Sequence, residues 1–289
     1  LRQMFRRRTP RLVAPVSFER EVRSAFFELR APFVSATNAR AGLARLELSV
    51  AGRIEDHEGV GETENPKLGV LYGPTADILF RTSWGTSFRA PSLRELNNAY
   101  QIGPSFLNRA GGSVLTLIQY GGNPNLRPET ADSVTAGFVW TPSDYEGFRL
   151  EGNWFRTRFN DRIGNPVIQN LTNALNDPSL APFVRNVSPT TSAEDRALVQ
   201  ALLDHPGNFN PLVYPATAYG VIVDNRFVNA AGVEVEGLDL SVRYAFTMLD
   251  GEMRLDGSVT HLLTNDREIT AASPTEDLLG DPNFPARWR

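Results

Sequence analysis

From Leu46 to Ile54 every second residue is apolar or small: Leu46, Leu48, Val50 and Ile54 share one phase with Gly52, while Glu47, Ser49, Ala51 and Arg53 occupy the other. A period of two sends successive side chains to opposite faces of an extended strand, so this segment has one greasy and one polar face. The pattern returns at Ile78, Phe80, Thr82, Trp84 and Phe88, at Val134, Ala136, Phe138 and Trp140, at Leu238 to Phe246, and at Met253, Leu255 and Val259. With shorter stretches near 24–35, 65–72 and 148–160, the chain reads as about eight strands, and a ninth begins around Arg287. Most run well past the ~5–6 residues usual in soluble sheets, towards the ~9–11 that cross a bilayer.

The connections alternate in length. Phe33 is joined to Leu43, Tyr72 to Ile78, Trp140 to Phe148 and Phe246 to Met253 by short links. The links between them, 56–64, 89–131, 161–225 and 265–286, read as long loops. Short turns at one end and long loops at the other are the mark of an outer-membrane barrel, whereas a soluble sandwich has no reason to keep that order. Phe33, Tyr72, Trp140, Tyr145, Phe148, Tyr244 and Phe246 all sit beside the short turns. They are expected to form an aromatic girdle at the periplasmic boundary, where an amphipathic ring is best placed.

Composition narrows the alternatives. No run approaches the ~18 apolar residues of a spanning helix, which excludes a helical membrane protein and leaves a barrel open. The absence of cysteine removes disulfides, thiolate metal sites and cysteine nucleophiles, and a net charge of −4 without a basic face argues against nucleic acid. The arginines at the start (Arg2, Arg6, Arg7, Arg8 and Arg11) precede no apolar core and read as a solvated loop. In the 161–225 loop, Ser192 is a plausible N-cap, followed by Glu194 and Asp195 and by Leu198, Leu202 and Leu203 at helical spacing; this predicts a short helix near 193–204 within a small surface subdomain. Its three histidines, His57, His205 and His261, have no oriented acid and nucleophile beside them, so no catalytic site is expected. The acidic stretch Glu55–Glu64 reads as a solvated loop, with calcium binding the minor alternative.

One pair of segments carries a family resemblance. Trp84-Gly85-Thr86-Ser87-Phe88-Arg89-Ala90-Pro91-Ser92-Leu93-Arg94-Glu95-Leu96 resembles the strand-end motif of TonB-dependent receptors, and Gly122-Asn123-Pro124-Asn125-Leu126-Arg127-Pro128-Glu129 resembles their entry into the next strand. Phe26 to Pro32, Asn65 to Gly69 and Gly237 to Leu240 add to it in matching order, across nearly all of the chain. The motif residues Phe88, Arg89, Ala90, Pro91, Ser92, Gly122, Asn123, Pro124, Leu126, Pro128 and Glu129 read as structural. Phe88 is taken as the last outward residue of its strand, Pro91 stops the ladder, the two later prolines stiffen the approach, and Arg89 is placed to pair with Glu95 or Glu129.

The resemblance implies an antiparallel transmembrane barrel of 22 strands with an N-terminal plug domain, of which residues 1–289 would be a C-terminal part lacking plug, TonB box and last strands. It implies residence in the outer membrane of a Gram-negative bacterium, in contact with lipid. The function implied is capture of a scarce small-molecule ligand, of siderophore, cobalamin or oligosaccharide type. Import would be driven through the TonB–ExbB–ExbD complex of the inner membrane, with no cofactor. The fragment alone is not expected to transport. Inward polar residues such as Arg53, Arg81, Arg149, Glu151 and Arg243 would then face plug or lumen, and loop aromatics (Tyr100, Phe106, Tyr120, Phe209, Tyr214 and Tyr219) are available to a ligand. A passive porin or small closed barrel, and an outer-membrane barrel enzyme, are the alternatives.

Overall fold

The structure is a computed structural model that describes residues 17–209, 214–248, 251–270, 273–280 and 286–288. The arginine-rich start lies outside them. The strands are β1 (Val22–Val34), β2 (Arg45–His57), β3 (Gly61–Gly73), β4 (Ile78–Arg89), β5 (Gln101–Arg109), β6 (Gly112–Tyr120), β7 (Glu129–Trp140), β8 (Phe148–Gly164), β9 (Val184–Asn186), β10 (Val221–Asp224), β11 (Val228–Met248), β12 (Gly251–Glu268) and β13 (Glu276–Asp277). Nine of these form one antiparallel sheet in the order β1-β2-β3-β4-β7-β8-β11-β12-β13, an unclosed section of barrel wall among the described residues. The other four form a separate sheet, β5-β6-β10-β9.

The two sheets distribute apolar surface in opposite ways. On the large sheet Phe27, Leu29, Leu48, Val50, Leu68, Phe80, Trp84, Leu238, Leu240, Val242 and Leu255 are exposed. An apolar face of this size is tolerated only where something other than water covers it, and alternation with polar residues on the other face of the strands fits lipid. Large side chains lie over glycines directly opposite: Phe27 over Gly52, Phe138 over Gly152 and Phe155 over Gly237, each ring filling the space that a Cβ would take. At the short-turn end Trp140, Phe148, Tyr244 and Phe246 form a continuous row, with ring centroids 5.6, 6.5 and 5.2 Å apart. Gly147 closes the turn between β7 and β8 with φ +79, and an added Cβ would strike the Ala245 carbonyl oxygen. Gly147→Ala should therefore cost about 2 kcal/mol through strain and overpacking. The check is an unboiled-gel melting series of the full receptor, and an unchanged midpoint would refute the strained-turn account.

Strand ends depart from the sequence expectation. β11 starts at Val228 and β12 runs to Glu268, well beyond the alternating stretches Leu238–Phe246 and Met253–Thr260. Above Leu238 the outward phase turns polar, and Arg156 and Arg158 pair with Glu234 at 2.7 and 3.2 Å. There the strands have left the apolar layer and both faces can be hydrated, so alternation of hydropathy disappears while the ladder continues. The expected long loop 56–64 is likewise a correction: β2 and β3 pair as far as His57 and Gly61, and positive φ at Gly59 and Gly61 allows a tight turn. The 265–286 loop is cut short in the same way. β13 pairs with β12 through Asp277 and Glu276, ahead of the expected start, and contact resumes where Trp288 bridges His261.

The buried core belongs to the small sheet. Segments 89–131 and 161–225, expected as loops, fold together. β5 and β6 form a hairpin, β10 adds parallel to β6, and β9 pairs antiparallel with β10. Among the described residues three α-helices accompany them: α1 (Leu93–Asn97), α2 (Pro166–Gln169) and α3 (Ala193–Leu203), the last capped by Ser192, whose side chain accepts from Asp195 N. One layer joins Ile102, Leu117, Val199, Leu203 and Tyr219; a second joins Leu107, Ile118, Val167, Leu180 and Val223. Wrapped on both sides, the strands show near-continuous apolar runs, Val114–Ile118 and Val221–Val223, as buried strands should. The long loops thus form a cap with its own hydrophobic interior.

Candidate functional site

The motif residues converge where the cap meets the tips of β4, β7 and β8. Arg89 closes β4 and stands opposite Glu129, the first residue of β7. Its guanidinium grips Glu129 with two hydrogen bonds, Nε to Oε2 at 2.9 Å and Nη2 to Oε1 at 2.8 Å. It donates to Glu95 as well, from Nη1 at 3.0 Å and Nη2 at 3.1 Å. Glu129 accepts the Ile163 backbone N–H at 2.6 Å, so one carboxylate joins three strands. The planar fork of arginine suits this doubled use, which a lysine ammonium would not reproduce.

Glu95 also belongs to a capping box. The Glu95 N–H donates to Ser92 Oγ at 3.2 Å, and Glu95 Oε2 accepts the Ser92 N–H at 2.7 Å. Burial alone would raise the Glu95 carboxyl pKa. Hydrogen bonds from the Arg89 guanidinium and from Ser92 outweigh it and hold the group below its ordinary range. Pro91 is fully buried, Ala90 is half-buried, and the Pro91 carbonyl accepts from Arg20 Nη1 at 2.7 Å. Phe88 is half-buried and meets the His57 ring edge-on at 5.2 Å.

The second arm descends from β6 to β7. Gly122 N–H donates to Asn98 O at 2.9 Å, and a Cβ on Gly122 would lie 2.6 Å from Asn98 N, so only glycine lets the two backbones approach. Asn123 donates from its backbone to Glu95 O at 2.8 Å and from its side chain to Phe227 O at 2.9 Å. Pro124 is exposed, Leu126 is buried and Pro128 is half-buried. Asn229, absent from the sequence expectation, clasps Arg127 in both directions at 2.8 Å and donates to Asp161 O. Asp161 itself has φ +53, and its carboxylate accepts from Arg127 Nη2 at 2.7 Å. Asparagine supplies an acceptor and a donor on one short stem, but nothing local in the sequence tells which loop asparagine will find a partner a hundred residues away.

Chemically this junction saturates its own charges. The carboxylates of Glu95, Glu129 and Asp161 are each held by arginine or backbone N–H groups. The histidines lie apart: His205 packs edge-on to Tyr100 at 4.8 Å, and His261 stacks on Trp288 at 3.8 Å. Among the described residues no cluster of histidines and carboxylates has an arrangement able to hold a metal. Of the loop aromatics, Tyr219 is buried, Tyr120 packs on the second core layer, and the Tyr100 hydroxyl donates to Gln119 at 2.8 Å. Phe106 and Phe209 remain exposed on the cap, with the half-buried Tyr214 5.9 Å from Phe106.

Comparison with known proteins agrees with this architecture. Two similar solved structures are the siderophore receptor PirA from Acinetobacter baumannii (TM-score 0.52, 15% identity, 86% of this chain and 29% of that one) and PirA from Pseudomonas aeruginosa (TM-score 0.50, 18% identity, 86% and 36%). At such identities the likeness is one of fold, and the chain spans about a third of either receptor. No curated protein matches the sequence. The profile described as TonB dependent receptor-like, beta-barrel matches residues 6–288, and the chain therefore belongs to the TonB-dependent receptor β-barrel family.

Proposed function

We propose that the chain is a C-terminal section of the barrel of an active outer-membrane receptor in a Gram-negative bacterium, which binds a scarce small ligand and imports it with energy relayed by TonB. Its partners on this reading are outer-membrane lipid, a plug domain in the lumen, and the TonB–ExbB–ExbD complex reached through that plug. One observation supports this above others: the loops of one sheet end are folded into a cap with a hydrophobic interior and exposed aromatics. A passive pore needs an unobstructed mouth, whereas a receptor needs a shaped surface there. The Arg89–Glu95–Glu129 node and the Gly122–Glu129 arm then serve as anchors of that cap and not as ligand contacts.

Ferric siderophores are the first probes to use, because the two similar structures are siderophore receptors. Cells expressing the full-length receptor should accumulate radiolabelled iron from a ferric siderophore panel, and a protonophore or loss of TonB should bring uptake to background. Uptake that survives both treatments would replace the active receptor with a passive pore.

A further inference from the structure

The cap holds a half-buried arginine that no acid of the described residues answers. Arg109 closes β5 at the tip of the β5–β6 hairpin, and its Nη2 donates to Asn186 Oδ1 at the end of β9, 2.6 Å away. Among the described residues that amide oxygen is its one hydrogen-bond partner, and Arg109 forms no ion pair. Arg226, half-buried in the same cap, is treated differently: Asp224 takes its Nε at 2.9 Å and its Nη2 at 2.6 Å. Arg109, Asn186 and Asp177 border a cleft of about 270 Å³, with Leu175, Pro178 and Ala181 among its apolar walls.

The other polar side chains of the cleft are spent. Asn176 pins the hairpin tip, accepting the Ala110 N–H at 3.1 Å and donating to Asn108 O and Asn173 Oδ1, both at 3.0 Å. Asp177 caps the turn Pro178–Phe183, taking the Ser179 N–H at 2.9 Å, the Ser179 hydroxyl at 2.6 Å and the Asn170 amide at 3.1 Å. Those bonds, led by the Ser179 hydroxyl, outweigh burial and hold the Asp177 carboxyl below its ordinary range. Its charge is thus answered without Arg109. What stays free is all donor: the Asn186 amide N–H groups and four of the five N–H groups of Arg109, which keep one edge of the guanidinium fork whole. A planar fork matches the two oxygens of a carboxylate, and the apolar walls leave no partners for a larger hydrated anion. We propose that this cleft binds a small carboxylate, its oxygens in the fork of Arg109 and beside the Asn186 amide, its short hydrocarbon body against Leu175, Pro178 and Ala181. The site goes beyond the import reading and does not depend on it.

The test titrates sodium butyrate against the full-length receptor in detergent and follows the broadening of butyrate's own NMR signals. The parent should bind in the millimolar range, as suits a ligand of so few atoms. Arg109→Gln should lose about tenfold or more in affinity, the worth of hydrogen bonds to a charged group. Arg109→Lys should restore little, since an ammonium has no fork. Ala181→Phe leaves Arg109 in place and fills the cleft, and it should weaken binding as much. Protease resistance of the cap should match the parent in each variant, which separates a lost contact from a misfolded cap. Butyrate binding that survives both Arg109→Gln and Ala181→Phe would overturn the proposal, as would a parent that does not bind it. Inorganic phosphate bound as tightly as butyrate would overturn the carboxylate assignment.

Discussion

Replacing Arg89 with alanine should free the cap from the strand tips while leaving the large sheet intact. The substitution strands Glu129, whose side chain is 12% exposed, and removes the bond that holds Glu95 against β4. Losing one partner of a buried pair costs ~3–5 kcal/mol, and the lower end applies because the Arg89 side chain is 46% exposed and partly screened by water. A penalty of about 3 kcal/mol corresponds to a roughly hundredfold rise in the open population of the junction. Limited proteolysis of the full receptor should then cut within 98–128 and 161–227 long before the barrel unfolds. Arg89→Lys should rescue little, since an ammonium cannot fork to two carboxylates. Acid gives an independent readout. The folded pKa of Glu95 lies below its ordinary 4.5, so its contribution is fully present above that value and is lost as pH falls through the lowered one. Cap protection should therefore decline in that acid range in the parent, and Arg89→Ala should reduce the decline. Equal protease resistance of parent and variant at neutral pH would refute the anchoring role.

The barrel wall was the legible part of this chain, and the reason is physical. Between Leu238 and Phe246 one strand face meets an apolar medium and the other meets polar groups, so hydropathy must alternate. The same strand above Leu238 carries Glu236 and Glu234 on what had been the apolar phase, and there the pattern no longer reports the ladder. The cap was hidden for a complementary reason. β6 and β10 are buried on both faces, so Val114–Ile118 and Val221–Val223 have no period of two, and short apolar runs do not separate strand from other buried structure. Their pairing also spans a hundred residues, from Thr116 to Val221, which no local pattern encodes. At the junction, Arg89 with its two carboxylate neighbours was readable from charge and motif spacing. Asn229 was not, because its side chain pairs with backbone atoms of Arg127 and Asp161 that only the fold brings to it.

Leu117→Ala offers the sharpest separation of cap from wall. Leu117 is fully buried on β6, opposite Pro104 of β5 and beside Ile222 of β10, within the layer that includes Val199 and Tyr219. Truncating a buried leucine costs ~2–5 kcal/mol, the spread depending on how far the surroundings collapse into the cavity. Here the layer is braced from one side by α3 and from the other by the β5–β6 hairpin, so little collapse is available and the upper half of that range is expected. Among the described residues no side chain of that layer belongs to the strands of the large sheet. Hydrogen exchange should therefore quicken by about 30-fold or more in β5, β6 and β10 while β8 and β11 keep their protection. Ligand affinity should fall with the cap, since a surface presented by Phe106 and Phe209 exists only while the sheet beneath them is folded. Leu240→Ala is the matched control: that side chain is exposed on the lipid-facing phase, so its truncation leaves no enclosed cavity and should alter neither exchange in the cap nor ligand affinity. If Leu117→Ala accelerated exchange equally in β8 and β11, cap and wall would be one cooperative unit, and the account of a receptor head folded on an independent barrel section would have to be given up.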